Sequence, residues 1–289
     1  MISRLLAGTK RAFGMHRPGR NLAVLPDDVF IVSYPKSGNT WSRFLVANLL
    51  NPEEPANFAN INGLIPDPEA LSVRELARLS RPRILKSHQY FDPRYPKVIY
   101  IVRDPRDVVL SQYHFQIKRR VLNDDHPLEP FVTSFIAGLT SPYGSWGENA
   151  GSWLAARYDK HGLLLVRYED LIADAISEMK RIAVFLEITV TSQLLAQAVE
   201  RSSAGQMRKL EADQAHMWSS TKDTRKDVPF VRAAGAGGWK SKLPEKSVLE
   251  IENAWSPLMK WLGYDLLSQA TPEARSVGIP EPIFGGSLK

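Results

Sequence analysis

The sequence predicts an α/β fold: a single domain with a central parallel sheet flanked by helices. Three observations predict it. Short, nearly unbroken apolar runs recur in "VFIV" (29–32), "RILKSH" (83–88), "KVIYIVRD" (97–104) and "GLLLVRYED" (162–170), as expected of strands buried on both faces. Between and beyond them, apolar residues recur at helical spacing over 38–50, 105–119, 147–160, 171–186, 192–200 and 245–262, and alternation of the two patterns is the mark of a covered parallel sheet. Finally, no break in composition divides the 289 residues, 44% of which are apolar, enough for one full core.

Taken in order, residues 1–26 form a basic tail. The first 20 carry five basic residues and no acid, which leaves about +1 of the +6 formal charge for the rest. That balance gives no footprint for nucleic acid. The tail reads as frayed or docked; the competing readings are a targeting peptide or peripheral membrane contact by residues 1–20, with Ile2, Leu5, Leu6 and Phe13 on one side. The domain proper is expected over 27–265. Its first strand passes through a small polar turn, "YPKSGNTW", into the first helix, where Phe44, Leu45, Asn48 and Leu49 share a face. Segments 51–82, 119–146 and 213–244 are rich in Pro, Asn or Gly and read as loops or lids. Trp146, Trp153, Trp255 and Trp261 read as core, and 266–289 as a C-terminal extension. No apolar run approaches the length of a membrane span. The absence of cysteine excludes disulfides, thiolate chemistry and cysteine-held metals, and fits a reducing, cytoplasmic location.

In open α/β sheets ligands sit beyond the carboxyl ends of the strands, and here those ends share a chemistry. The first delivers Lys36-Ser37-Gly38, the second Lys86 and His88, the third Arg103, Asp104 and Arg106 with Ser111 further along the next helix, and the fourth Tyr168, Glu169 and Asp170. Three of the four supply cations, which a core alone does not need. The first turn is not a Walker A loop, since its lysine precedes its glycine. It has the parts of an oxyanion site nonetheless: Gly38 for close backbone approach, side-chain donors on Ser37, Asn39 and Thr40, N–H groups of a starting helix, and Lys36 as a mobile charge. The bland alternative is a helix capped by Ser37.

The stretch Tyr34-Pro35-Lys36-Ser37-Gly38-Asn39-Thr40-Trp41 resembles the phosphosulfate loop, Y-P-K-S-G-T-T-W, of the cytosolic-type sulfotransferases, which use 3′-phosphoadenosine 5′-phosphosulfate (PAPS). The likeness continues through "LKSHQ", "VIYIVRDPRDVVLSQYHF", "VRYEDL" and "FVRAAGAGGWK", in order, over about residues 28–264. The resemblance implies a P-loop NTPase-like architecture and in-line transfer of a sulfuryl group to the hydroxyl of a small or lipid-like acceptor, leaving PAP. It implies His88 as general base, Lys36 on the leaving oxygen and Lys86 on the sulfonyl oxygens. It places Ser37, Gly38, Asn39 and Thr40 on the 5′-phosphate, Arg103, Ser111 and Arg232 on the 3′-phosphate, and Trp41, Tyr168, Ser202 and Met207 about the adenine. It calls for no metal, with lysines in place of a divalent ion.

The sequence departs from the family text at Ala204, where an aromatic usually stacks on adenine, and at Ala233 and Ala234, where the family has Lys-Gly; Arg225 and Lys226 are the candidate replacements. The family's dimer segment is unmatched after Lys240, which leaves the oligomeric state open. Candidate apolar acceptor liners are Phe58, Ile61, Leu64, Phe91, Tyr113, Phe115 and Trp146. Two alternatives stand beside the enzyme reading: a nucleotide-binding protein of the same fold without turnover, and an NTP-dependent kinase needing Mg²⁺ and a strand-end acid, for which Asp104 and Glu169 are the candidates.

Overall fold

A computed structural model describes residues 21–267, apart from Ser219 and Ala233. The basic residues 1–20 and the end of the C-terminal extension lie outside the described residues. The elements run β1 (Val29–Ser33), α1 (Asn39–Leu50), α2 (Ile61–Leu64), α3 (Val73–Leu76), β2 (Ile84–Ser87), β3 (Lys97–Val102), α4 (Pro105–Lys118), α5 (Leu128–Ile136), α6 (Trp146–Arg157), β4 (Leu163–Arg167), α7 (Tyr168–Ala173), α8 (Ala175–Phe185), α9 (Ser192–Arg201), α10 (Ala204–Gln214), a 3₁₀ turn (Gly238–Ser241) and α11 (Glu245–Trp261).

The four strands pair in the order β2-β1-β3-β4, all parallel. The apolar runs explain this directly. In β1, Phe30 and Val32 enter one core cluster while Val29 and Ile31 enter the other. In β3, Val98, Tyr100 and Val102 alternate in the same way with Ile99 and Ile101. Side chains of a strand alternate between faces, so each run feeds two cores and both faces of the sheet must be covered. On one face α1 packs against β1 and α9; α4, α5, α6 and α11 contact one another in the other layer. The chain leaves β1 for β2 on one side and then crosses to β3 on the other. The polarity of the crossovers thus changes at β1, and a crevice opens past its carboxyl end.

The long middle segments hold more structure than their composition suggests. Segment 119–146 contains α5 despite Pro127 and Pro130. Both prolines fall at the helix start, where a missing N–H costs nothing. Helix α10, unmarked in the sequence reading, begins with Ser203 accepting from the Gln206 N–H. Trp146 and Trp153 are buried as expected, whereas Trp261 is 47% exposed and packs edge-on to Tyr158, their ring centroids 4.3 Å apart. No helix among the described residues is long and apolar enough to cross a membrane.

Candidate active site

The turn after β1 is wound tightly enough to aim backbone donors outward. Lys36 has φ 70° and Gly38 φ 99°. Lys36 therefore occupies the left-handed region that non-glycine residues avoid, a conformation that concentrates at functional sites. Helix α1 starts at Asn39 with Gly38 as N-cap and no side-chain cap bond, so no side chain satisfies the N–H groups of its first turn. The Ser37 hydroxyl is buried and has no hydrogen-bond partner among the described residues. The capped-helix alternative fails on this point, because Ser37 does not cap.

Gly38 is required here twice. A Cβ at this position would lie 2.5 Å from Tyr168 Cδ2, and the positive φ strains any other residue. Gly38→Ala should cost on the order of 2 kcal/mol and displace the Tyr168 ring. Chemical denaturation, with near-UV dichroism to follow the ring, checks both. The same ring lies 4.3 Å from the Arg103 guanidinium and 5.6 Å, edge-on, from Trp41.

Three cations gather at this turn. Lys36 Nζ sits 4.0 Å from the Phe115 ring and 4.2 Å from Phe230. Burial, then Arg103 and Arg232, push Lys36 down to about 7. Arg103 donates to the Lys36 carbonyl at 3.3 Å and to the Gly235 carbonyl at 3.0 Å, and its Nε is unsatisfied. Arg232 donates to the Leu110 carbonyl at 3.4 Å, beside the half-buried Ser111. None of the three has a carboxylate partner among the described residues. Uncompensated like charges held together call for an anion of matching charge.

Register sets the second cluster. Val32 pairs with Ser87, so the next residues, Ser33 and His88, meet past the strand ends. His88 Nδ1 is 2.7 Å from the Ser33 carbonyl oxygen. A carbonyl only accepts, so Nδ1 carries the proton and Nε2 keeps its lone pair. Burial and the neighbouring Lys86 push His88 down to about 3. Lys86 ion-pairs with Asp67 at 2.5 Å. Both side chains line a cavity of about 300 Å³, shared with Glu69, Phe91 and Tyr143.

Residues 26–263 match the family described as the sulfotransferase domain. The chain belongs to that family. It is 30% identical over 237 residues to sulfotransferase 1B1 of Mus musculus, covering 75% of this chain and 77% of that one. Against sulfotransferase 1E1 of Rattus norvegicus it is 29% identical over 250 residues, 81% of this chain and 84% of the relative. Among solved structures, mouse sulfotransferase SULT7A1 complexed with PAP superposes with a TM-score of 0.66 at 25% identity, over 83% of this chain and 87% of that chain. Retinol dehydratase in a complex with retinol and PAP shares the fold, with a TM-score of 0.65 at 24% identity over 85% and 84% of the two chains.

Within this sulfotransferase fold, several residues sit otherwise than their sequence suggested. The Asn39 amide donates to the Ile31 carbonyl at 3.1 Å, so Asn39 offers the turn its backbone N–H instead of its side chain. Ser202 is fully buried, its hydroxyl accepting from Asn48 at 2.9 Å, while its carbonyl accepts from the Trp41 indole at 2.8 Å. Met207 is 3% exposed in the core beneath α1. Ser202 and Met207 thus support Trp41 and the helix from behind; a sequence match fixes a position but not which way its side chain turns. Arg225 is paired with Asp124 and Asp227, which leaves it spent as a replacement phosphate ligand. Of the seven expected apolar liners, Phe91 borders the cavity; Phe58, Ile61 and Trp146 are core, and Phe115 packs on Lys36. The strand-end acids of a kinase are engaged elsewhere: Asp104 pairs with Arg106 at 2.7 Å, and Glu169 accepts from the Asp104 N–H at 3.0 Å and the Tyr264 hydroxyl at 3.1 Å.

The sequence reading missed the strap fastenings. Segment 225–239 is held over the turn by charged groups on two helices, α4 and α10. Lys118 donates to the Arg225 and Val228 carbonyls, Glu211 accepts from the Phe230 and Val231 N–H groups, and Asp107 accepts from those of Gly237 and Trp239. In this strap Ala234 has φ 47°, at a position where the family text has glycine. Ala234→Gly should raise stability by on the order of 1 kcal/mol, because glycine takes this conformation without the Cβ clash. Thermal unfolding measures it; a lower melting point would contradict the assignment.

Proposed function

We propose that this sulfotransferase moves the sulfuryl group of PAPS in line to a hydroxyl of a small-molecule acceptor, with His88 as general base. The observation that carries this reading is the set of three unpaired cations, Lys36, Arg103 and Arg232, around an uncapped helix start with an orphaned serine hydroxyl. That set suits a nucleotide with two separate phosphates. PAPS supplies the sulfuryl group; PAP is what remains. The backbone N–H groups of residues 38–41 and the Ser37 hydroxyl hold the 5′-phosphate. Arg103, Ser111 and Arg232 hold the 3′-phosphate, with the arginines contributing charge-assisted bonds. Tyr168 and Trp41 border the adenine.

In the transfer, His88 Nε2 takes the acceptor's proton as the acceptor oxygen bonds to sulfur. The bridging oxygen departs with the electron pair of the broken S–O bond, and Lys36 meets the charge that develops there. Lys86 turns from Asp67 to the sulfonyl oxygens. Positioning and charge stabilisation carry such a reaction, as in phosphoryl transfer. The reaction fits the cytoplasm, where the cysteine-free chain loses nothing to reduction.

The test is transfer from ³⁵S-labelled PAPS to a panel of hydroxylated small molecules, with and without a chelator. Labelled, chelator-insensitive product is expected. A second reading, a nucleotide-binding protein without turnover, is favoured by the Lys86–Asp67 pair, which occupies a catalytic lysine. Saturable PAP binding with no label passed to any acceptor would establish that reading instead. Label transfer only with Mg²⁺ and ATP as donor would establish the kinase.

A further inference from the structure

We infer that the acceptor taken beside His88 is a positively charged hydroxyl compound, an amine whose cation lies about one aromatic ring away from the reacting hydroxyl. The inference rests on the sulfuryl-transfer reading above and names the substrate class of that site.

The charges around the cavity carry it. Three carboxylates line it, Asp67, Glu69 and Asp92, against two cations, Lys86 and Arg94. Both cations have partners: Lys86 with Asp67 at 2.5 Å and Arg94 with Asp92 at 2.6 Å. The Glu69 carboxylate accepts from two neutral groups, the Tyr143 hydroxyl at 2.8 Å and the Gln89 amide at 2.6 Å, and forms no ion pair among the described residues. Of the three carboxylates, Glu69 alone therefore lacks a cationic partner among the described residues, whereas Asp67 has Lys86 beside it and feels the buried Arg43 as well. An anionic acceptor is repelled there, a neutral one leaves the charge unanswered, and a cation completes it.

The walls favour the same class. Tyr90, Phe91 and Tyr143 line the cavity, and aromatic faces attract ammonium groups. Tyr143 also measures the distance: its ring centroid is 5.4 Å from that of His88, and its hydroxyl meets Glu69. The path from base to carboxylate follows one tyrosine side chain, so an acceptor whose hydroxyl reaches Nε2 places its ammonium at Glu69 across one ring and a short chain. A long hydroxylated lipid brings nothing to Glu69. When Lys86 turns to the sulfonyl oxygens, Asp67 becomes a second carboxylate facing the same cation.

The experiment uses labelled PAPS and three acceptors on one frame: 4-(2-aminoethyl)phenol, 4-ethylphenol and 4-hydroxyphenylacetate, carrying charges of about +1, 0 and −1. The expected order of kcat/KM is amine, neutral, acid, with at least about tenfold between the first two. Glu69→Gln should shrink the amine-to-neutral ratio by most of that factor. A preference for the neutral or anionic phenol, an unchanged ratio in Glu69→Gln, or no labelling of the amine by protein that binds PAP overturns the inference. A PAP-induced rise in melting point separates the two levels: with the rise and transfer to 4-ethylphenol first, the sulfotransferase reading stands and the charge inference falls. With neither rise nor transfer, both fall.

Discussion

Replacing His88 by alanine is expected to lower kcat by about 10²–10⁴, the usual contribution of a positioned general base, while PAP still binds. The side chain is oriented through Nδ1, which donates to the Ser33 carbonyl at 2.7 Å and lies 3.5 Å from the Ser33 hydroxyl, and this leaves Nε2 unprotonated in the cavity. Because burial and Lys86 push its pKa to about 3, the base form persists well below the ordinary histidine range. The kcat/KM profile should therefore show no loss of activity through pH 6.5 from this residue. The sign for stability runs the other way. The unfolded chain protonates His88 below about 6.5 and the native chain does not, so this residue destabilises the fold progressively as pH falls from 6.5 toward 3. His88→Asn should remove that contribution. Full activity in His88→Ala would end its assignment as the base.

Replacing Lys36 by methionine is expected to lower kcat by about 10²–10³, the scale of losing one preorganised electrostatic contact to the leaving oxygen. The more specific consequence is a proton. Burial, Arg103 and Arg232 hold Lys36 at about 7, so its charge is complete below that pH and lost above it. Phosphates brought alongside favour the charged form. At pH 8, PAP binding should therefore take up a proton at Lys36, seen as a dependence of binding enthalpy on buffer ionisation; at pH 6 this uptake should vanish, and Lys36→Met should abolish it at pH 8. In the unliganded protein the depressed value has the opposite use: between 7 and 10.5 the unfolded chain holds the extra proton, so stability from this group rises with pH across that window.

Much of this was legible in the sequence because buried parallel strands announce themselves. "VFIV" and "KVIYIV" are apolar on both faces, and the residues that follow them fall at the sheet edge whatever the rest of the chain does. That rule singles out Lys36, His88 and Arg103 as candidates from the sequence. What the sequence withheld is side-chain direction and loop closure. Asn39 and Ser202 occupy expected positions but turn their polar groups inward, to Ile31 and Asn48. Asp67, Glu69 and Tyr143 come from aperiodic loops and meet only after the fold brings residues 74 apart together. No periodicity marks such a pairing. The apolar residues Phe58 and Ile61 were mistaken for acceptor liners because they lie in a loop-like segment; in the structure they pack under α1 with Phe44 and Trp218.

The central claim is that Lys36, Arg103 and Arg232 hold a nucleotide bearing two separate phosphates, with its reacting end toward His88. Calorimetric titration of the purified chain with PAP, beside AMP, tests it most directly. The account predicts one saturable site for PAP and an affinity at least about tenfold weaker once the 3′-phosphate is removed, since that group meets two arginines. No saturable heat with PAP, or equal affinity for AMP, would contradict it.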